Sequence, residues 1–336
     1  MQREEIQMSK ISWLHMSDLH INSNSYFDQD LIHNALFSDL EAQLNKYNIE
    51  LSFIFFTGDV ASSASKEDYE LANVFFNHLS ERLRFNKNNL FIVPGNHDVN
   101  RYKVSKILDD NRRQLGTREE IQQVLKNRKI LENYLSRFDN YSDFISDLYG
   151  NRFVMSPENY FFSETRKING IEFGIIGLNS AWSSYGGRHD CNNIYISEMQ
   201  LTKAIENVKQ SSVKIVLLHH PLSWLYEEDK VDIENLLYQH CHIILHGHLH
   251  RPDFQIVNSI KGQQVIIPAG AIFAGRRVSN SYNITTLNSA KGTINIIPRR
   301  YYDGARKFMT DIESLGNDEI GYFEAEAPKA IIQNLN

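Results

Sequence analysis

At 336 residues the chain has length for one large α/β domain or two average ones, and its 42% hydrophobic and 23% charged residues exclude a disordered or fibrous protein. A formal net charge of -6 argues against broad, sequence-independent docking on a nucleic-acid backbone, which depends on Lys and Arg; a local basic groove stays open. Cys191 and Cys241 lie far apart in no Cys-x-x-Cys pair, so neither a disulfide framework nor a thiolate metal site is indicated.

Two cysteines without a framework fit a reducing, cytoplasmic setting. Met1 to Lys10 is polar and mixed in charge, lacking the hydrophobic region of a secretory signal, and no apolar run reaches the roughly 20 residues a bilayer demands. The expectation is a soluble protein without a membrane partner.

Ile11 to Met16 reads as a short strand, and Asp28 to Tyr47 spaces Leu31, Ala35, Leu36, Leu40 and Leu44 as one helical face. Leu51 to Phe56 is continuously apolar, as suits a strand buried on both faces. Ser65 followed by Asp68 reads as a helix start, the helix running to about Arg84. Leu90 to Val93 makes the next strand, ended by Pro94-Gly95. Three polar clusters therefore fall at the carboxyl ends of successive strands in a β-α-β-α-β unit, where open α/β sheets gather ligands. They are Ser17-Asp18-Leu19-His20, Gly58-Asp59 and Gly95-Asn96-His97-Asp98.

Arg101 to Gly150 is strongly charged, with Ile107, Leu108, Leu115, Ile121, Leu125, Leu131, Leu135 and Phe138 at helical spacing. It reads as two or three helices forming an insertion or cap. Such a segment can roof a cavity, select substrate size, mediate self-association, or merely stabilise the fold as a solvated hairpin. Asn169-Gly170 between Phe161–Ile168 and Ile171–Leu178 is a strong hairpin signal. Ser197 with Gln200 resembles a capping box opening a helix to about Gln210.

Val213 to Leu218 is a buried strand delivering His219 in the cluster His219-His220-Pro221, and a helix near Asp232 to Tyr238 follows. Ile243 to Leu245 carries out the fifth cluster, Gly247-His248-Leu249-His250. Val265 to Phe273, Tyr282 to Leu287 and Thr293 to Ile297 read as closing strands. Without internal repeat or linker, the economical reading is one domain over 10–298, with 101–150 as its insertion and 299–336 as a C-terminal extension.

The five clusters supply carboxylates, imidazoles and an amide oxygen, a donor set able to hold two divalent cations. In an extended strand tip, residues separated by one point to the same side, so Asp18 with His20 and His248 with His250 can each offer two side chains to one cavity. One buried Asp or His taken singly is more often a hydrogen-bonded structural group. The ordered set reverses that judgement. Oxygen and imidazole donors without thiolate suit manganese, iron or zinc better than copper or calcium.

The order Asp-x-His, Gly-Asp, Gly-Asn-His-Asp, His and Gly-His-x-His, spread from Ser12 to Leu287, resembles the calcineurin-like metallophosphoesterase family. That resemblance implies an α/β fold with central mixed β-sheets packed as a β-sandwich, flanked by helices, with a helical insertion after the third strand. Position by position, it implies that Asp18, His20 and His250 hold one metal, Asn96, His219 and His248 the other, and Asp59 bridges them. Two divalent metal ions are implied, manganese first, with iron or zinc as alternatives. A hydroxide shared by the metals would attack phosphorus, His97 would protonate the leaving oxygen, and Asp98 would orient His97.

His220 is expected outside the ligand set, and His15, His33, His78, His189, His240, His242 and His246 are expected to be structural or exposed. Arg251 and Arg101 are candidate contacts to the phosphate. Arg276 and Arg277 read as surface charges. The implied activity is hydrolysis of phosphodiester bonds in nucleotides or nucleic acid, by a phosphodiesterase or nuclease. The alternatives are a phosphomonoesterase, protein phosphatase included, and a non-catalytic scaffold, the latter disfavoured because the full ligand set is present. Expected partners are a nucleotide or nucleic-acid phosphoester, with a second copy of the chain or a defence or signalling protein as further candidates.

Overall fold

The computed structural model describes residues 10–24, 26–103, 117–250, 253–275, 279–315 and 321–335. The readings placed on Ile107, Leu108, Leu115, Arg251, Arg276 and Arg277 lie outside the described residues.

The chain opens with β1 (Lys10–Met16), α1 (Tyr26–Tyr47), β2 (Leu51–Phe56), α2 (Lys66–Arg82) and β3 (Leu90–Ile92). The three strands run parallel. Their period of two explains the apolar runs: Ile11, Trp13, Phe53, Phe55 and Phe91 face one core, and Leu14, Met16, Ile54 and Phe56 another. Ser65 caps α2 by accepting from Asp68 N, as its sequence predicts. In α1 the buried stripe is Ile32, Leu36, Phe37 and Leu40. Leu31, expected on that stripe, is 38% exposed instead.

Helices α3 (Arg118–Lys126), α4 (Arg128–Leu135) and α5 (Asp139–Tyr149) occupy the described part of the insertion. They are no solvated hairpin. Leu131, Leu135, Phe138 and Phe144 join the cluster beneath α2, and the Tyr141 and Tyr149 hydroxyls donate to the carbonyls of Ile92 (3.2 Å) and Leu90 (2.7 Å). The insertion thereby covers the edge of β3, the last strand of its sheet, and satisfies carbonyls that a bare edge would expose.

The second half contributes β4 (Phe162–Ile168), β5 (Ile171–Gly177), α6 (Glu198–Asn207), β6 (Val213–Leu217), α7 (Glu227–His240), β7 (Ile243–His246), β8 (Gln255–Ser259) and β9 (Gly262–Pro268). Asn169 and Gly170 take φ of 50° and 83°, the two positive values a tight hairpin turn between β4 and β5 requires. The sheet order is β4-β5-β6-β7-β9-β8, parallel from β5 to β9. The half-polar β8 had no sequence signal.

Strands β10 (Ser281–Asn288), β11 (Thr293–Tyr302), β12 (Lys307–Thr310) and β13 (Phe323–Glu326) return to the first sheet, ordered β12-β11-β10-β1-β2-β3 with β13 also on β11. The boundary expected at 298 falls inside β11, and β12 and β13 make the tail part of the sheet rather than an extension. Pro298 is tolerated there because β13 pairs with 293–296 and β12 with 299–302, so it sits in the gap between them.

The two sheets pack face to face around Trp13, Phe55, Ile215, Leu245 and Ile296, with α1 to α5 on one outer face and α6 and α7 on the other. This is the helix-flanked mixed sandwich that the motif order implies. Among the described residues no helix is long and apolar enough to cross a membrane.

Candidate metal centre

The first polar cluster follows β1 and continues its pairing beyond the strand. Asp18 N donates to Gly58 O (2.9 Å), His20 N to Asp59 O (3.0 Å) and Ile21 N to Val60 O (3.0 Å). The strand-tip alternation expected from the two-residue spacing is not what aims the ligands. Asp18, His20, Asp59, His248 and His250 have φ of 54°, 45°, 56°, 70° and 54°, left-handed values that non-glycine residues seldom adopt. Such conformations each cost about 1–3 kcal/mol and persist where surrounding structure enforces them. Here the flanking ladder bonds do so, and left-handed turns bring the side chains together.

Asp18 Oδ1 lies 3.1 Å from His250 Nε2 and 3.5 Å from His20 Nε2. Its Oδ2 accepts from His248 N at 3.0 Å, so this one carboxylate ties the first cluster to the last. His219 Nε2 is 3.1 Å from Asn96 Oδ1, 3.1 Å from His248 Nδ1 and 3.3 Å from Asp59 Oδ2. Asp59 Oδ2 is also 3.9 Å from His20 Nε2, between the two groups. All seven residues expected as ligands thus lie on one cavity, Asp18 beside His20 and His250, His219 beside Asn96 and His248, and Asp59 within 3.9 Å of both His20 and His219. Asp18, Asp59, Asn96 and His219 are buried and form the floor, whereas His20, His248 and His250 are half-buried and form the rim.

Two glycines clear the space. A Cβ on Gly247 would lie 1.9 Å from Ser17 Oγ and 2.7 Å from Asp18 Oδ2, and one on Gly95 would lie 2.2 Å from Asp59 Oδ1. At Gly95 the Asp59 carboxylate takes the place a side chain would need, and at Gly247 the Ser17 hydroxyl does, with the Asp18 carboxylate behind it.

The donor set fits a pair of cations. His219 Nδ1 is 2.7 Å from the Thr57 carbonyl, which accepts only from an N–H, so Nδ1 carries the ring proton. Its Nε2 then meets Asn96 Oδ1, His248 Nδ1 and Asp59 Oδ2 together, and one further proton could satisfy only one of those acceptors. A cation satisfies all. The electrostatics agree: burial opposes charge on Asp18 and Asp59, yet neighbouring imidazoles hold both carboxyls below their ordinary range. For His219, burial is outweighed by Asp59, Asp18 and the Thr57 carbonyl, which raise it to about 9. The cavity favours positive charge at its centre.

His97 stands at the rim, half-buried, its ring centroid 4.6 Å from that of His20. Its backbone N–H donates to Asp59 Oδ1 at 2.7 Å, and its Nδ1 is 2.7 Å from the Ser62 carbonyl. Nε2 is therefore the nitrogen left for a substrate. Asp98 does not orient this ring, contrary to the expectation. It accepts from Gly95 N (2.8 Å), Ala61 N (3.1 Å), Val60 N (3.2 Å) and Tyr69 OH (2.9 Å), bolting the Gly-Asn-His-Asp turn to the loop after β2. An aspartate pointing at three backbone N–H groups has no face left for its neighbour.

Arg101 is exposed; its guanidinium lies against the backbone of Gly186, close enough to His97 to disfavour the imidazolium. His220, expected outside the ligand set, is tied to Ser180 Oγ through Nδ1 (3.0 Å), yet its Nε2 has no hydrogen-bond partner and one of its ring nitrogens lies within 4.8 Å of ring nitrogens of His219 and His248; burial leads the effects that keep it neutral. His15 and His246, beneath the floor, are held by burial to about 3 and about 4 and stay neutral as structural groups. The carbonyls of Thr57 and Ser62, the Tyr69 hydroxyl and the Trp224 indole, 4.1 Å from His248, were not foreseen. Carbonyls carry no residue signature, and the other two sit outside every motif.

Comparison with known proteins follows the same lines. A family model described as calcineurin-like phosphoesterase matches residues 11–252. An uncharacterised metallophosphoesterase-like protein, YydB of Bacillus subtilis, is 22% identical over 299 residues, covering 85% of this chain; the chain spans 59% of that relative's length. Among solved structures, the purple acid phosphatase PPD1 of yellow lupin (Lupinus luteus) is similar with a TM-score of 0.51 and 12% identity, over 96% of this chain and 55% of that one. The NAD nucleotidase NadN of Haemophilus influenzae matches with a TM-score of 0.47 and 12% identity, over 97% of this chain and 55% of its own.

Proposed function

The chain belongs to the calcineurin-like phosphoesterase family, and from that premise we propose that it hydrolyses phosphodiesters of nucleotides or nucleic acid with two divalent cations, manganese preferred, and His97 as proton donor. The observation that carries this reading is the convergence of Asp18, His20, Asp59, Asn96, His219, His248 and His250 on one cavity with His97 at its rim.

When bound, a cation pair supplies water activation at neutral pH and neutralises charge on the phosphoryl oxygens. Asp18, His20 and His250 would hold one cation, Asn96, His219 and His248 the other, and Asp59 both. In the reaction, water's oxygen bonds to phosphorus while one of its protons passes to solvent, and the bond to the leaving oxygen breaks. His97 Nε2 gives that oxygen a proton, while the Ser62 carbonyl fixes the ring through Nδ1. Burial holds His97 below its ordinary value, and the negative charge of a bound phosphoester acts in the opposite sense. Arg101 adds a guanidinium on the same side.

The preference for nucleotide diesters rests on the stretch Trp13 to His20, which resembles bacterial diesterases. The test is direct: the metal-stripped protein, reloaded with manganese, zinc or iron, is assayed on bis(p-nitrophenyl) phosphate, p-nitrophenyl phosphate, cyclic nucleotides, RNA and single-stranded DNA. Turnover restored by manganese and faster on diesters is expected. Full activity in strong chelator with no bound metal would sink the metal-dependent reading, and faster monoester turnover would replace the diester one.

A further inference from the structure

We propose that Trp224 is the platform on which the base of a nucleotide ester stacks while its phosphate occupies the ligand cluster; the substrate side of this inference rests on the phosphoesterase reading above. The chain has three tryptophans. Trp13 and Trp182 are fully buried, whereas Trp224 is half-buried and sits on the rim of the site. Its ring centroid lies 4.1 Å from that of His248 at an interplanar angle of 76°, and 6.1 Å from that of His220 at 26°.

The indole is held in place. Trp224 N donates to Pro221 O (2.9 Å), Trp224 O accepts from Ile194 N (3.3 Å), and the His220 ring behind it is tethered to Ser180 Oγ (3.0 Å). An indole offers a donor and a large π-face but no lone pair for a cation, so it cannot serve as an eighth ligand. A rigid, half-buried indole beside a phosphate site is a group that a planar base can stack on at little conformational cost. Base stacking on such a ring contributes about 1–3 kcal/mol.

Its position also selects which part of the substrate it receives. His97 abuts His20, and Trp224 abuts His248, which belongs to the other ligand set. Proton donor and indole therefore border different rim histidines of the cluster. The group leaving toward His97 is not the group lying on Trp224, so Trp224 holds the substituent that stays on phosphorus. A diester has such a substituent and a monoester does not. The product retained against Trp224 is then a nucleoside monophosphate.

Manganese-loaded protein titrated with adenosine 5′-monophosphate, with methyl phosphate as the ligand lacking a base, tests this by tryptophan fluorescence. Saturable quenching by the nucleotide is expected, absent in Trp224→Phe, with methyl phosphate displacing the nucleotide without quenching. Trp224→Leu is expected to weaken nucleotide binding roughly 5- to 150-fold, the span such stacking energies convert to, and to leave methyl phosphate affinity and metal content unchanged. Equal affinity for both ligands in wild type and Trp224→Leu would overturn the stacking role while leaving the phosphoesterase reading intact. Loss of metal in Trp224→Leu would make the indole a mere wall for His248. Failure of both ligands to bind would overturn the two readings together.

Discussion

His219 Nδ1 lies 2.7 Å from the carbonyl oxygen of Thr57, a contact across 162 positions of sequence that turns the other ring nitrogen toward Asn96, Asp59 and His248. One backbone carbonyl thus decides which nitrogen of this histidine can ligate. Fixing the tautomer of a metal-binding imidazole through its second nitrogen is a recurrent device, and losing such an outer partner alone costs about 10–100-fold in metal affinity or activity.

Removing the ring itself should cost more. His219→Ala is expected to lower bound metal from two ions per chain to one or fewer and to reduce diester turnover by more than about 100-fold. Elemental analysis after dialysis, set beside turnover, checks this. Two tightly held ions in the variant would remove His219 from the ligand set.

His97→Ala should separate chemistry from metal binding, since the ring faces the rim and its Nδ1 is committed to Ser62. Metal content is expected to stay at the wild-type level while kcat falls about 10²–10⁴-fold on esters with poor leaving groups. On p-nitrophenyl esters, whose leaving group departs without a proton, the loss should be much smaller. An equal loss on both kinds of ester would dismiss the proton-donor role.

Asp98 and Tyr69 should behave as structural partners. Tyr69→Phe removes one of four donors to the buried carboxylate and is expected to cost about 1–3 kcal/mol. Asp98→Ala leaves the N–H groups of Val60, Ala61 and Gly95 without their acceptor and should cost more, with metal lost as the Asn96 turn loosens. Urea denaturation ranks the two. A kcat loss in Asp98→Ala with unchanged stability and metal content would restore Asp98 to a role at the His97 ring.

His33 makes stability depend on pH. It is buried on α1 against Phe75, its Nε2 has no hydrogen-bond partner, and burial lowers its pKa to about 3 from 6.5. Between those values the unfolded chain binds the proton and the folded one does not. Its contribution is therefore complete above pH 6.5 and is lost as pH falls toward 3, at about 1.4 kcal/mol per pH unit. His33→Leu should shrink the stability lost between pH 7 and pH 5.5 by about 1.4 kcal/mol, with the shares of His15 and His242 remaining. Identical losses in both proteins would show that His33 is solvated in the folded state.

Much of the fold and of the site is legible in the sequence alone. Leu51 to Phe56 reads as a doubly buried strand, Ser65 as a cap and Asn169-Gly170 as a hairpin because each signal is local: side-chain periodicity and turn chemistry act within a few residues. The seven candidate ligands are legible for the same reason, as short motifs just past strand ends. The folded arrangement alone decided how those motifs are aimed, through left-handed backbone at Asp18, His20, Asp59, His248 and His250 held by ladder bonds to distant loops. It also decided that Ser62 rather than Asp98 holds His97, and that β12 and β13 complete the first sheet on β11. A backbone carbonyl is the same group at every position, and a short half-polar strand is stable only against its partner, so neither leaves a mark that residue types can report.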